Sequence, residues 1–126
     1  IANNQKLAYL EKWEFTALQF QKDKDAELLK RINGMFRYVS FSFVNEQLNG
    51  GEKLTCVCTV NGTPFLDVNN AGQINAGIDI INAICTAKGV SAPIFVDNAE
   101  SVNQIIPSLS QIIRLVVTTD KELTIK

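Results

Sequence analysis

Asp97 ends a short apolar run, Ile94-Phe95-Val96, and Glu100 follows it closely. An aspartate at the end of an apolar strand is how many nucleotide hydrolases hold magnesium. Glu100 is the nearest second carboxylate, the kind of group that serves as a general base. Asn98 stands between them and has no basic oxygen to take a proton from water. Read alone, the stretch is also a plain strand-end turn. A second candidate lies upstream, at Asn69-Asn70-Ala71-Gly72-Gln73. An Asn cap, two small residues and free backbone N–H groups suit an anion at a helix start. Plain helix capping accounts for the same residues.

Other chemistry falls away. Gly72-Gln73-Ile74-Asn75-Ala76-Gly77 has the glycine spacing of a phosphate-binding loop, but Ile78-Asp79 follows instead of Lys and Ser or Thr. Without the lysine and the magnesium-binding hydroxyl there is no triphosphate grip. Cys56 and Cys58 form a C-x-C pair, and Cys85 is the third cysteine. The pair reads as a metal or redox site, or as two small apolar residues on one strand face. The chain has no histidine, so a four-ligand zinc site is hard to build from three thiols. Ser-His-Asp and Cys-His catalysis are excluded within the chain for the same reason.

A length of 126 residues fits one domain, 1–126, and 46% hydrophobic residues supply a core. The net charge is −1, so no global basic footprint marks a nucleic-acid binder. No apolar run approaches the roughly 20 residues of a membrane helix. Lys6, Glu11, Lys12 and Glu14 interrupt any signal-peptide pattern, and the expected compartment is the cytosol. The first residue is Ile1, which leads us to expect a chain processed or cut from something larger.

The elements that must position these residues follow from the pattern. Leu7, Leu10, Trp13, Ala17 and Phe20 recur at helical spacing, and Leu28, Leu29 and Ile32 resume it. A single helix of about 30 residues would span roughly 45 Å. Residues 1–33 therefore read as a helical arm or coiled-coil stub closed by Gly34, the alternative being two shorter helices broken near Lys22. Alternation over Phe36–Val44 and Leu54–Val60 predicts two strands, with a turn at Asn49-Gly50-Gly51. Asn61-Gly62 predicts a tight hairpin into a short strand at Thr63–Leu66. A small-residue loop, 67–72, leads into a mostly enclosed helix from Gln73 to Lys88. Its narrow polar stripe is Asn75, Asp79, Asn82 and Thr86. Apolar strands at Ile94–Val96 and Ile112–Val117 suggest a sheet covered on both faces, and Glu122–Ile125 is a candidate last strand. The fold class is α/β or α+β: a mixed sheet with an antiparallel meander, one buried helix and a long N-terminal helix.

In this order, the small-residue loop, the buried helix, the strand ending in Asp97 and the strand before Thr118-Thr119-Asp120 resemble the C-terminal half of ABC-type ATPases of the SMC/SbcC class. Asn70-Ala71-Gly72-Gln73 looks like that family's signature loop, usually Ser-Gly-Gly-Gln, and Asp97 looks like its Walker B aspartate. The stretch from Ala99 to Ile105 looks like its dimer-facing D-loop region. The run from Asn69 to Glu100 is similar to phage and prophage members of the class.

The resemblance implies an N-terminal lobe of the same protein that carries the phosphate loop, and a homodimer of heads sandwiching ATP and magnesium. Asn70, Ala71, Gly72 and Gln73 would face nucleotide, with Gly72 allowing close backbone approach and tolerating no bulky side chain. Asp97 would hold magnesium. The helical arm would be the root of a returning coiled coil, and DNA repair, recombination or segregation the setting. Asn98 stands where the family has glutamate, and Thr119 or Asp120 where it has histidine. That leaves Glu100 as the carboxylate for the base role. A non-enzymatic domain that oligomerises through its arm is the alternative.

Overall fold

Residues 3–32 contain neither proline nor glycine, so nothing interrupts the helical hydrogen-bond ladder there. In the computed structural model, which describes residues 2–48 and 51–125, they form one unbroken helix, α1, Ala2–Asn33. Lys30 and Arg31 in its last turn suit the negative end of the helix dipole. Exposed i,i+4 partners line it, such as Arg31 Nε to Glu27 Oε1 at 2.8 Å. Pairs of this kind contribute only about 0.3–0.5 kcal/mol each. Tyr9 and Trp13 meet edge to face, with centroids 6.0 Å apart. Most large apolar residues of α1 are exposed, Trp13 by 58%, Phe15 and Phe20 by 69%, while Leu29 and Ile32 are half-buried. Residues 1–34 form one compact unit and residues 35–126 another.

The second unit is α+β. Strands β1 (Val39–Leu48) and β2 (Gly51–Val60) pair antiparallel from Val39 opposite Val60 to Leu48 opposite Gly51. The expected turn at Asn49-Gly50-Gly51 falls on 49 and 50, outside the described residues. Asn61 and Gly62 take φ of 51° and 81°, the positive values a two-residue hairpin needs. They deliver β3 (Thr63–Pro64) against β2. Pro64 has no N–H to extend a ladder, so β3 ends there and a 3-10 turn, Phe65–Asp67, replaces the rest of the expected strand. The antiparallel strands form one sheet and the parallel strands another.

Helix α2 (Asn70–Lys88) is the centre of this unit. It starts before Gln73, so the expected loop residues 70–72 are its first turn. Gly89, left-handed at φ 65°, closes it. Its Ala76 packs with Val39 and Val60, flanked by Phe36, Phe41 and Ile80. Its Ile78 packs with Ile94, Val96 and Ala99, flanked by Ile74, Ile81 and Ile112. So α2 joins the antiparallel sheet to the parallel pair β4 (Ile94–Val96) and β5 (Ile112–Arg114). Phe95, on the other face of β4, is 65% exposed. The pair is therefore covered on one face, not two. β5 stops at Arg114, and Val117, Leu123 and Ile125 are exposed outside any strand.

The polar stripe of α2 turns inward and replaces missing secondary structure. A parallel crossover normally contains a helix; here it has only the 3-10 turn Ala99–Ser101 and then irregular chain. Asn75, buried, donates through Nδ2 to Gln104 O at 3.0 Å and accepts from Ile106 N at 3.0 Å. Two turns on, Asn82 donates to Pro107 O at 3.1 Å and accepts from Ser108 Oγ. Between them Asp79, 4% exposed, bonds a different segment, the entry to β1. Its Oδ2 accepts the backbone N–H of Arg37, Tyr38 and Val39 at 3.0, 2.7 and 3.0 Å, and Oδ1 shares the Arg37 N–H at 3.2 Å. Three consecutive N–H groups converging on one carboxylate form an anion nest.

Each buried donor left without a partner costs about 1–3 kcal/mol. We therefore expect Asp79→Ala to lower stability by about 3–5 kcal/mol in urea unfolding. Asp79→Asn keeps the shape but turns one acceptor into a donor, and should lose about 2 kcal/mol. A loss under about 1 kcal/mol for the alanine variant would show that water replaces the carboxylate.

Candidate functional site

The start of α2 is built by Asn69. Its backbone is extended, and its Oδ1 accepts the Gly72 N–H at 2.8 Å. The first helical bond, Gln73 N–H to Asn69 O, is 2.9 Å. Among the described residues no acceptor meets the N–H groups of Asn70 and Ala71. These two donors, with the positive end of the helix dipole behind them, are what this end offers an anion.

Gly72 serves the fold more than a ligand. It is buried, and a Cβ there would collide with Val68 Cγ1 and lie 3.1 Å from Asn69 Oδ1. The close approach that requires glycine is made by the chain's own Val68. A bulky side chain at Gly72 therefore disturbs the helix start itself. Gln73 is also engaged internally, donating from Nε2 to Phe65 O at 3.2 Å. Ala71 is half-buried and Asn70 exposed.

The second segment follows β4. Val96 is buried, so the next residue, Asp97, emerges at the carboxyl end of the strand with its side chain exposed. Its Oδ1 accepts the Asn98 N–H at 2.9 Å. Asn98 is left-handed at φ 55°, a region asparagine enters more readily than most side chains. Glu100 is exposed on the following 3-10 turn, Ala99–Ser101. That turn is fixed to the end of β5 and the residue after it, on both sides of fully buried Ala99. Its N–H donates to Leu115 O at 3.0 Å, and Arg114 Nη2 donates to its carbonyl at 3.2 Å.

The two segments meet. Asn70 Nδ2 donates to Ser101 Oγ at 2.6 Å, across 31 positions of sequence. Ser101 Oγ in turn donates to Asn98 O at 2.8 Å. Asn70, Asp97, Asn98 and the Ala99–Ser101 turn carrying Glu100 are thereby one neighbourhood. Asp120, in contrast, accepts nothing from it; its N–H bonds Thr118 Oγ1 at 3.2 Å. Ser101 was not singled out from sequence. Its signal was its place three residues after Asn98, the spacing at which a hydroxyl folds back on a carbonyl.

No cluster of three metal-ligating His, Cys, Asp or Glu side chains occurs among the described residues. Asp97 is an exposed carboxylate at the strand end, and a lone carboxylate of this kind holds magnesium only with other oxygens, such as those of a phosphate, completing the shell. Asn98 offers only an amide, which is not a basic group, and Glu100 is an exposed carboxylate on the turn that follows.

Cys56 and Cys58 point to one face of β2, opposite Phe43 and Phe41 of β1. All three cysteines are free. Burial, and secondarily the neighbouring Cys56, pushes the Cys58 thiol above its ordinary range. A raised value means less thiolate at mildly alkaline pH, and thiolate is the reactive species. Iodoacetamide at pH 8 should therefore modify exposed Cys56 several-fold faster than Cys58. The Cys58 rate should still be climbing with pH beyond the usual thiol range. Equal rates for both, read by peptide mass mapping, would contradict the burial.

No protein-family model matches the chain, and no curated protein or solved structure matches it.

Proposed function

We propose that the chain is the C-terminal lobe of an ATP-binding head of the SMC/SbcC class. The observation that carries this reading is the Asn70–Ser101 hydrogen bond, which places a capped helix start beside the turn after Asp97. An anion-binding helix end next to a strand-end carboxylate is the pairing that nucleotide phosphates and magnesium require. The parallel pairing of β4 with β5 supports it, since open α/β sheets bind ligands beyond the carboxyl ends of their strands.

In this reading an N-terminal lobe of the same protein supplies the phosphate loop, and two heads form a homodimer around ATP. The N–H groups of Asn70 and Ala71 face the nucleotide. Asp97 holds magnesium, which, when bound, neutralises charge on the phosphates. Glu100 takes the proton of the attacking water. The arm α1 returns from a coiled coil, and engagement of the heads acts on DNA in the cytosol.

A second reading is favoured by one observation, the exposed aromatic residues of α1. It makes the chain an interaction domain that oligomerises through that helix. The two readings separate on ATP. No helix among the described residues is long and apolar enough to cross a membrane, so the exposed residues of α1 are not a membrane span.

Calorimetric titration of this chain alone with Mg-ATP should show no specific binding; micromolar affinity would overturn the head reading. In the full-length protein Asp97→Ala should weaken magnesium-dependent turnover. Glu100→Gln should slow turnover by about a hundredfold, as loss of a general base does, while ATP still binds. Unchanged turnover in Glu100→Gln removes that residue from the mechanism.

A further inference from the structure

Cys56 and Cys58 bear chemistry that the head-domain reading leaves unused. Both thiols are free, and both side chains leave the same face of β2. Cys56 is exposed and Cys58 half-buried. Leu54 and Val60 continue their row, and Phe43 and Phe41 stand directly opposite on β1. The two sulfurs therefore share an apolar surface that is open at its Cys56 end. Burial first, and then the neighbouring Cys56, raises the Cys58 thiol, so the pair lies within electrostatic reach of each other.

Spacing decides what such a pair can do. Same-face neighbours on an antiparallel strand stand about 6.8 Å apart with their side chains parallel. A disulfide needs its Cβ atoms about 3.5–4.5 Å apart. Bending β2 to close that gap would break its register with β1, which is continuous through both cysteines. A metal ion between the sulfurs reaches further. With metal–sulfur bonds of about 2.3 Å, a linear S–metal–S unit spans about 4.6 Å, and each sulfur leans inward by only about 1 Å.

The donor set then selects the ion. The chain has no histidine, and no cluster of three His, Cys, Asp or Glu side chains occurs among the described residues. Two thiolates leave tetrahedral zinc two ligands short. Calcium and magnesium call for oxygen ligands. Soft thiolates favour Cu(I), whose filled d shell is satisfied by two sulfurs in line.

We propose that Cys56 and Cys58 form a two-coordinate, all-thiolate site for a soft monovalent cation, of which Cu(I) is the biological example. On binding, each thiol gives its proton to solvent and two Cu–S bonds form. Copper stays Cu(I), and nothing is oxidised. The site involves no nucleotide, so it stands or falls apart from the head-domain reading.

The test titrates this chain, reduced and under exclusion of oxygen, with Cu(I) held by a competing chelator. One ion should bind per chain, and X-ray absorption should report two sulfur neighbours. Cys56→Ser changes an exposed position and should leave the thermal midpoint in place. It should weaken Cu(I) binding by more than the roughly 10–100-fold that loss of an outer-shell partner costs. Cys58→Ala removes the other ligand and should match it; if that half-buried position does not tolerate alanine, Cys56→Ser decides alone. Cys85→Ser should bind Cu(I) as the unsubstituted chain does. No uptake from the chelator, equal affinity in Cys56→Ser, or lost affinity in Cys85→Ser would each overturn the site.

Discussion

The second unit depends on one buried carboxylate. Asp79 lies in the middle of α2 and takes up the N–H groups of Arg37, Tyr38 and Val39 just where β1 begins. A charge taken out of water costs several kcal/mol unless it is repaid by good hydrogen bonds. Here three backbone donors repay it, and those donors would otherwise be orphans at a strand entry. The arrangement fixes the angle at which the hairpin leaves α2. Val39 and Val60 then land on Ala76, and Phe36 and Phe41 meet with their rings tilted and centroids 5.0 Å apart.

Much of this was legible in the pattern of residues. Period-2 alternation marked β1 and β2, Asn61-Gly62 marked the hairpin into β3, and the absence of helix breakers marked α1. What was not legible was where polar residues inside an apolar helix would point. Asn75, Asp79 and Asn82 read as a narrow polar stripe, and a stripe alone does not distinguish water from buried backbone as its partner. The strands were overextended for a related reason. Ile112–Val117 and Glu122–Ile125 have the composition of strands, but a strand also needs a neighbour, and no third parallel strand lies among the described residues.

The candidate site shows the same division. Asn69 as a cap and Asp97 at a strand end follow from local rules, and both are where the sequence put them. The meaning of Gly72 did not follow, because the atom that demands a glycine there, Val68 Cγ1, comes from a contact that only the folded chain reveals. The meeting of Asn70 with Ser101 was hidden for a similar reason. Two short polar segments about thirty residues apart are brought together by the packing of Ile78 against Ile94 and Val96, not by any signal of their own.

The spacing of the inward stripe on α2 also governs which length changes the chain can absorb. Each added helical residue rotates everything after it by about 100°. One insertion between Asn75 and Asp79 would leave the first residue facing the 104–106 segment and swing the other two away from their partners. The interval from 75 to 82 is therefore as rigid in length as the teeth of a key.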